Sequence, residues 1–126
     1  MADAKAEKRL SFKEMCARFD VTPRTLRYYE YIELLDPEKQ GRSRYYGSRE
    51  VARMTLILRG RRFGFSLEQI RQWLEMYEND GSRSQLKIWI EQADLQLAEL
   101  EKQRAELDST IAELRTLRDE TEASLS

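Results

Sequence analysis

The segment from Val21 to Tyr31 carries side chains that can bind a polyanion at the start of a short helix. Thr22 is a favourable N-cap residue, and Pro23 follows at the first helical position, where its missing N–H costs nothing. The next turns hold polar groups of the kinds that contact phosphates and base edges in a major groove. These are Arg24, Thr25, Arg27 and Tyr28. The segment predicts either a DNA-recognition helix or the solvated face of a small α-hairpin.

A second helix must precede this one and position it. The stretch from Phe12 to Phe19 reads as a helix that is broken at Asp20, and Lys13 adds a cation near its start. In the following helix, the inward side would hold Leu26, Tyr29 and Ile32. A helix, a tight turn and a capped basic helix form the helix-turn-helix pattern.

The segment after these helices predicts a short β-hairpin, or wing. Pro37 and the Gln40-Gly41 pair are turn signals, and the residues from Arg44 to Tyr46 have strand propensity. Arg42 and Arg44 are two residues apart, so on a strand they would point to the same side. Because arginines are frequent in this short segment, we favour a hairpin that contacts DNA phosphates over a plain surface hairpin.

Two further helices are predicted between Ser48 and Tyr77. Ser48 is a plausible cap of the first helix, and Gly64 is placed to end it. Ser66 and Gln69 have the spacing of a capping box that starts the next helix. The first helix would turn its arginines away from the core: Arg49, Arg53, Arg59, Arg61 and Arg62. Arg61 and Arg62 at the corner predict a second wing that offers cations to DNA backbone.

The remaining chain predicts one long polar helix with a coiled-coil seam. After the linker signal at Asn79–Ser82 there is no Gly or Pro, and apolar residues recur in heptads. The helix is too long and polar to stand alone, and a second copy of the chain is its expected partner. The predicted dimer seam consists of Leu86, Ile90, Ala93, Leu97, Leu100, Arg104, Leu107, Ile111 and Leu114. Arg104 occupies a core position near the middle of the seam, where it would restrict register and orientation. Acidic residues at neighbouring flanking positions offer partners across the interface: Asp94, Glu101 and Asp108.

Charge is divided unevenly along the chain, although the 126 residues have a net charge of only −1. Residues 1–77 hold 16 Lys/Arg and 11 Asp/Glu, a net charge of +5, whereas residues 78–126 hold 6 and 12, a net charge of −6. A basic half joined to an acidic half is typical of a polyanion-binding head on a solvated tail. The lack of long apolar runs and the single cysteine, Cys16, fit a cytoplasmic protein.

Taken together, the chain resembles the MerR family of bacterial transcription regulators. Four blocks in order carry the resemblance, which covers Phe12 to Tyr77: VTPRTLRYYE at 21–30, LL-x-P at 34–37, R-x-Y at 44–46 and RFGFSLEQI at 62–70. The resemblance implies a mainly α fold with a winged helix-turn-helix head, linking helices and a long C-terminal coiled-coil dimerisation helix that pairs antiparallel with its copy. It also implies a homodimer on a pseudo-palindromic promoter site that bends or untwists the promoter spacer. Such a regulator would affect RNA polymerase indirectly, through the promoter.

The resemblance also suggests roles for individual side chains. Arg24 and Thr25 would read bases, and Tyr28 would contact the backbone. Arg27, Arg44 and Tyr46 would either contact phosphates or anchor the wing. The backbone-contacting set is thus expected to comprise Lys13, Arg27, Tyr28, Arg42, Arg44, Tyr46, Arg61 and Arg62. Family members often carry an aromatic residue just before the wing arginine, where this chain has Ser43.

The residue types that the sequence lacks limit which effector such a regulator could sense. Metal-sensing members carry several cysteines, whereas this sequence has only Cys16 and no histidine, so no metal and no cofactor are expected. Cys16 would be either a small core residue or a redox sensor. No drug-sensing domain is expected after Ser126. The wing and the segment 58–62 resemble short members that control branched-chain amino-acid or fatty-acid catabolism, which suggests an acyl-CoA-like effector.

The expected organisation is a flexible arm over 1–10, a head over 11–78, a linker over 79–85, the dimerisation helix over 86–121 and a tail over 122–126. An alternative function is a coiled-coil adaptor protein with a vestigial DNA-binding head. No phosphate-binding glycine loop or catalytic histidine is present, so an enzyme is not expected.

Overall fold

The computed structural model describes residues 9–126, and the chain divides into two compact units at Gly81–Ser82. Between residues 9 and 81, the first unit contains three short strands and four helices: β1 (Leu10–Ser11), α1 (Phe12–Phe19), α2 (Pro23–Tyr31), β2 (Glu38–Gln40), β3 (Ser43–Tyr46), α3 (Ser48–Phe63) and α4 (Leu67–Glu78). The second unit is the single helix α5 (Arg83–Ser124) with its flanking residues. The fold is mainly helical, as predicted. No helix among residues 9–126 is both long enough and apolar enough to cross a membrane.

Local capping sets the boundaries of α2 and α4 as the sequence predicts. Thr22 Oγ1 accepts a hydrogen bond from the Thr25 amide at 3.1 Å, and Pro23 lies at the first helical position. Ser66 and Gln69 form the predicted capping box. The prediction that Ser48 caps α3 is wrong, since Gly47 is the N-cap residue and makes no side-chain cap bond.

A three-stranded antiparallel sheet forms the wing, with the strand order β1-β3-β2. The hairpin of β2 and β3 is the predicted one, and Gly41 adopts a left-handed conformation (φ 62°) in its turn. Leu10 of β1 pairs with Tyr46 of β3, so the wing is fixed to the start of α1. Residues 1–8 of the predicted arm lie outside the described residues, and Leu10, also assigned to that arm, belongs to the sheet. Arg42 lies in the turn and not on the strand, so its predicted alignment with Arg44 along one strand is wrong.

The core of the first unit joins the inner faces of all four helices to the wing. Its buried side chains are Met15, Leu26, Tyr29, Leu34, Leu35, Tyr46, Met54, Ile57, Phe65, Ile70 and Leu74. Gly60 allows α3 and α4 to approach closely, because a Cβ there would lie 2.7 Å from Cγ1 of Ile70. Tight packing of this kind fixes the position of α3 against α4.

Two buried charged side chains of α3 connect this helix to the loop before the wing and to the end of α4. Arg53 donates from Nε to the Leu34 carbonyl at 2.8 Å and from Nη1 to Glu78 at 2.7 Å. Glu50 accepts a hydrogen bond from the Asp36 amide at 2.9 Å. The prediction that Arg53 faces solvent is therefore wrong, since only 8% of this residue is exposed.

Helix α5 is longer than the predicted helix over 86–121. Ser82 and Gln85 form a capping box, so the helix begins at Arg83 within the segment assigned to the linker. It continues to Ser124, past the predicted start of the tail. Its 42 residues correspond to about 63 Å at 1.5 Å per residue.

Candidate nucleic-acid interface

The first turn of α2 presents two side chains that the sequence assigns to base readout. Arg24 is exposed, whereas Thr25 is half-buried and its Oγ1 accepts a hydrogen bond from the Thr22 hydroxyl at 2.9 Å. The cap therefore fixes the position of Thr25, while Arg24 extends freely into solvent. A long cation beside a fixed hydroxyl at a helix start suits recognition of base edges in a major groove.

The next turn of α2 supports Arg27 on an aromatic ring of α1. The Arg27 guanidinium carbon lies 5.3 Å from the centre of the Phe12 ring, within the range of a cation–π interaction. Tyr28 is half exposed, and Tyr29 is buried in the core, as expected for its inward position. Phe12 thus restrains Arg27 near the wing while leaving its N–H groups available to an anion.

Glu30, at the end of α2, holds the wing. Its Oε1 lies 2.8 Å from Nε of Arg44, and its other oxygen accepts a hydrogen bond from the Tyr46 hydroxyl. Burial, followed by the hydrogen bond to Glu30, raises the pKa of Tyr46 above its ordinary value. The prediction that Tyr46 contacts DNA backbone does not fit this arrangement, since Tyr46 is fully buried. Its side chain serves the other predicted role, which is to anchor the wing.

Four of the predicted cations meet in one open cleft between α1, α2 and the wing. Lys13, Arg27, Arg42 and Arg44 line this cleft of about 380 Å³, together with Ser11, Phe12, Ser43 and Tyr45. We call it the wing cleft. Arg44 is paired with Glu30, but its side chain keeps 36% exposure and can still face an anion. Cations supplied by three separate elements match the repeated charges of a phosphodiester backbone.

A second, smaller cleft of about 270 Å³ lies on the other side of α2. We call it the corner cleft, and its lining residues are Arg24, Thr25, Tyr28, Tyr29, Arg61 and Leu67. Gly64 ends α3 in a left-handed conformation (φ 91°), which creates the corner that carries the exposed Arg61 and Arg62. Both predicted wings therefore lie beside α2.

Arg9 is a residue of the wing that the sequence analysis did not single out. Its guanidinium carbon lies 4.9 Å from the centre of the Tyr45 ring, and it forms a salt bridge with Glu38. These contacts join the residue just before β1 to both strands of the hairpin. Because β1 has only two residues, the sequence shows no alternating pattern that would predict this strand or the role of Arg9 beside it.

The nine residues predicted to form the dimer seam all lie on α5. Eight of them are exposed in the single chain, and Ala93 is half-buried. Helix α5 therefore carries an apolar row along most of its length.

Cys16 is half-buried on α1, and burial raises the pKa of its thiol above the ordinary value. Such a thiol is less reactive than a free cysteine at neutral pH. Among residues 9–126, no group of three or more His, Cys, Asp or Glu side chains is arranged to hold a metal ion.

The first unit is thus a winged helix-turn-helix head whose recognition helix is flanked by clefts lined with cations. Two family models match the sequence: "MerR HTH family regulatory protein" over residues 10–77 and "MerR, DNA binding" over residues 51–117. The chain belongs to the MerR family of DNA-binding transcriptional regulators.

Relatives with known names support this assignment. The chain is 34% identical over 110 residues to the HTH-type transcriptional regulator HmrR of Rhizobium leguminosarum bv. viciae, covering 86% of this chain and 78% of HmrR. It is 35% identical over 109 residues to the regulator ZntR of Escherichia coli (strain K12), covering 84% and 76%. Its fold is similar to that of HiNmlR, a MerR family regulator lacking the sensor domain, solved bound to promoter DNA (TM-score 0.65, 18% identity, 85% of each chain).

Proposed function

We propose that this regulator binds a pseudo-palindromic promoter site as a homodimer. Each head would insert α2 into a major groove and lay its wing along the neighbouring backbone. The observation that carries the proposal is the wing cleft, where Lys13, Arg27, Arg42 and Arg44 converge. Phosphate contacts of this kind supply much of the affinity for DNA, whereas base contacts supply the sequence preference.

The individual roles follow from exposure and position. Arg24 and Thr25 would read bases from the first turn of α2. Tyr28, Arg61 and Arg62 would contact the backbone on the side of the corner cleft, since all three are exposed. Tyr46 would act indirectly, by fixing the wing through Glu30.

The second copy is needed because α5 cannot cover its own apolar row. A helix with exposed residues such as Leu97, Leu107 and Leu114 along one side is stabilised by packing against another helix. Two copies joined through α5 would present two heads to a duplex, and two-fold symmetry of the protein predicts a matching symmetry of the site.

On the family resemblance, regulation would occur by bending or untwisting the promoter spacer, so that RNA polymerase is affected through the DNA. The protein would work in the cytoplasm and would not be an enzyme. The alternative of a coiled-coil adaptor protein with a vestigial DNA-binding head is disfavoured. Such a head would have no need for the exposed cations that line the clefts beside α2.

The effector is proposed to be an acyl-CoA-like thioester, with the regulated genes in branched-chain amino-acid or fatty-acid breakdown. This proposal is supported by the resemblance of the wing and of segment 58–62 to the short family members named above. A soft metal ion is disfavoured, because the sequence offers one cysteine and no histidine as ligands.

The DNA-binding proposal is tested by selecting bound sites from a random duplex pool with the purified chain and footprinting the selected sequence. We expect two inverted half-sites and an affinity that falls steeply as salt rises. Arg42→Glu should reduce binding strongly, whereas Arg59→Glu, an equal charge change on an exposed residue that lines neither cleft, should reduce it much less. No enrichment over competitor DNA, or a single half-site footprint, would overturn the proposal.

The effector proposal is tested on the same selected site. Acyl-CoA thioesters of different chain length are titrated into the protein–DNA complex, with free CoA and copper or zinc salts as controls. A change in affinity or footprint with a thioester alone supports the proposal, and a response to the metals alone contradicts it.

A further inference from the structure

A pair of opposite charges, Arg9 and Glu38, lies on the wing beside the wing cleft. Glu38 of β2 pairs in the sheet with Tyr45 of β3, which pairs on its other side with Ser11 of β1. Side chains directly opposite each other on neighbouring strands lie on the same face of a sheet. Glu38 and Tyr45 therefore share one face, and Tyr45 also lines the wing cleft. The pair thus borders the surface that is proposed to meet the DNA backbone.

Two contacts restrain Arg9 at this place. Its guanidinium carbon lies 4.9 Å from the centre of the Tyr45 ring, and its Nη1 forms a salt bridge with Glu38. The ring supports the guanidinium group through a cation–π interaction, which leaves the N–H groups able to bind an anion. In the single chain that anion is the Glu38 carboxylate. Arg9 is therefore positioned at the edge of the cleft with its charge neutralised.

Glu38 is held in its ionised form. One carboxylate oxygen pairs with Arg9, and the other accepts a hydrogen bond from Nε2 of Gln40 at 3.2 Å. The hydrogen bond from Arg9, followed by that from Gln40, lowers the pKa of Glu38 below its ordinary value. An ionised carboxylate at this place repels the phosphates of an approaching duplex. The hydrogen bond to Gln40 would keep it there even if Arg9 moved away.

Glu38 differs from Glu30, the other acidic residue that pairs with an arginine of the wing. The Glu30 side chain is only 10% exposed and joins α2 to β3, so its role is to hold the fold. The Glu38 side chain is 55% exposed. Exposed ion pairs contribute little to stability because water screens them. The pair of Arg9 and Glu38 is therefore better explained by its effect on an anion that reaches the wing.

We propose that Glu38 limits the affinity of the wing for DNA by holding Arg9, which binds a phosphate when Glu38 loses its charge. This inference rests on the proposed contact between the wing and the DNA backbone, and it names a residue that weakens that contact. The group that Arg9 would bind is the phosphodiester and not a base edge. The effect of Glu38 is therefore the same for duplexes of every sequence.

The variant Glu38→Gln tests the proposal, because it removes the charge and keeps the shape of the side chain. It should bind both the selected site and an unrelated duplex about fivefold more tightly, since an exposed charge pair is released in each head. Its affinity should also fall more steeply with salt, because each released Arg9 displaces further counterions from DNA. Anisotropy titrations of labelled duplexes at several salt concentrations measure both effects.

Glu75→Gln is the matched control, since it makes the same charge change at an exposed position of α4. It should change the affinity much less than Glu38→Gln does. Equal gains for the two variants would show that net charge, and not the release of Arg9, increases the affinity. That result would overturn the proposal.

A double-mutant cycle tests whether Glu38 acts through Arg9. Arg9→Gln is introduced into the original chain and into Glu38→Gln. The loss of DNA affinity should be about threefold larger in the Glu38→Gln background, where Arg9 is released, than in the original chain, where Arg9 is neutralised. Equal losses in the two backgrounds would mean that the two charges act independently, which contradicts the proposal.

Thermal unfolding separates this role from a structural one. Glu38→Gln should unfold within about 2 °C of the original chain, because an exposed pair contributes little to stability. A lower unfolding temperature together with weaker DNA binding would show that the pair holds the wing in place, and would overturn the proposal.

Arg42→Glu in the same titrations distinguishes the two levels of inference. If Arg42→Glu loses affinity and Glu38→Gln gains none, the role of Glu38 is wrong and the wing contact stands. If Arg42→Glu binds as tightly as the original chain, the wing contact of the proposed function is wrong, and this inference fails with it.

Discussion

Oε1 of Glu30 lies 2.8 Å from Nε of Arg44, which joins the end of the recognition helix α2 to the wing strand β3. The second carboxylate oxygen of Glu30 accepts a hydrogen bond from Tyr46 on the same strand. Only 10% of the Glu30 side chain is exposed, so water replaces these contacts poorly. One carboxylate therefore couples the position of a DNA-binding cation to the core of the head.

Replacing Glu30 with Gln should destabilise the head and weaken DNA binding. The amide keeps the shape but loses the charge that Arg44 faces, and hydrogen bonds to charged groups contribute about 1.5–3 kcal/mol. We expect a loss of about 2 kcal/mol in the free energy of unfolding, measured by denaturant titration. Glu75→Gln, an exposed change on α4, is the control and should be close to neutral. Equal stability of the two variants would show that the carboxylate does not hold the wing.

Arg24 and Arg42 should differ in how their loss affects sequence preference. Arg24→Ala should cost about 1–3 kcal/mol on the preferred site and relax the preference at one base step, because a base contact is lost. Arg42→Ala should weaken all duplexes alike and lower the salt dependence of binding. Titration of both variants against the preferred site and single-base variants of it checks this difference. A uniform loss for Arg24→Ala would refute its role in base readout.

The parts of this fold that depend on near neighbours could be predicted from the sequence. Thr22 and Pro23 start α2, Ser66 and Gln69 start α4, and Gly64 ends α3, because each signal acts within one helical turn. These local signals are sufficient to locate the recognition helix and the corner at Gly64.

Long-range contacts could not be predicted in the same way. The resemblance leaves Tyr46 either on the DNA backbone or as an anchor of the wing, and no local signal points to the contact of its hydroxyl with Glu30, 16 residues away. The helical spacing places Arg53 on the solvent side of α3, although Arg53 binds Glu78 across 25 residues. No periodicity distinguishes a buried, paired arginine from an exposed one, since its charge and helical spacing are the same in both cases.

The close approach of α3 and α4 predicts that residue 60 tolerates no side chain. A Cβ at Gly60 would lie 2.7 Å from Cγ1 of Ile70, which is fully buried and cannot move into solvent. Gly60→Val should therefore destabilise the head by about 1–3 kcal/mol, the usual cost of overpacking. Ala52→Val, at an exposed position of the same helix, controls for helix propensity and should cost about 0.5 kcal/mol. Thermal and denaturant unfolding measure both, and similar losses would contradict the packing argument.

The ion pair of Arg53 and Glu78 predicts a specific loss of stability in acid. The hydrogen bond from Arg53 lowers the pKa of Glu78 below its ordinary value of 4.5, and the charges of Arg53 and Arg49 act in the same direction against burial. A carboxylate whose pKa is lower in the folded state than in the unfolded state stabilises the fold above the unfolded pKa. That contribution should decline as the pH falls below 4.5 and through the folded value.

The variant Glu78→Gln should be less stable than the original chain at pH 7, and the gap between them should close as the pH falls below 4.5. Glu78 keeps 31% exposure, so solvent screening reduces the effect relative to a fully buried pair. Denaturant unfolding at several pH values measures both chains, with Glu75→Gln as the exposed control. A gap that stays constant from neutral pH into acid would mean that Glu78 contributes by shape and not by charge. In that case the connection between α3 and the end of α4 would rest on packing around Arg53 and its bond to the Leu34 carbonyl.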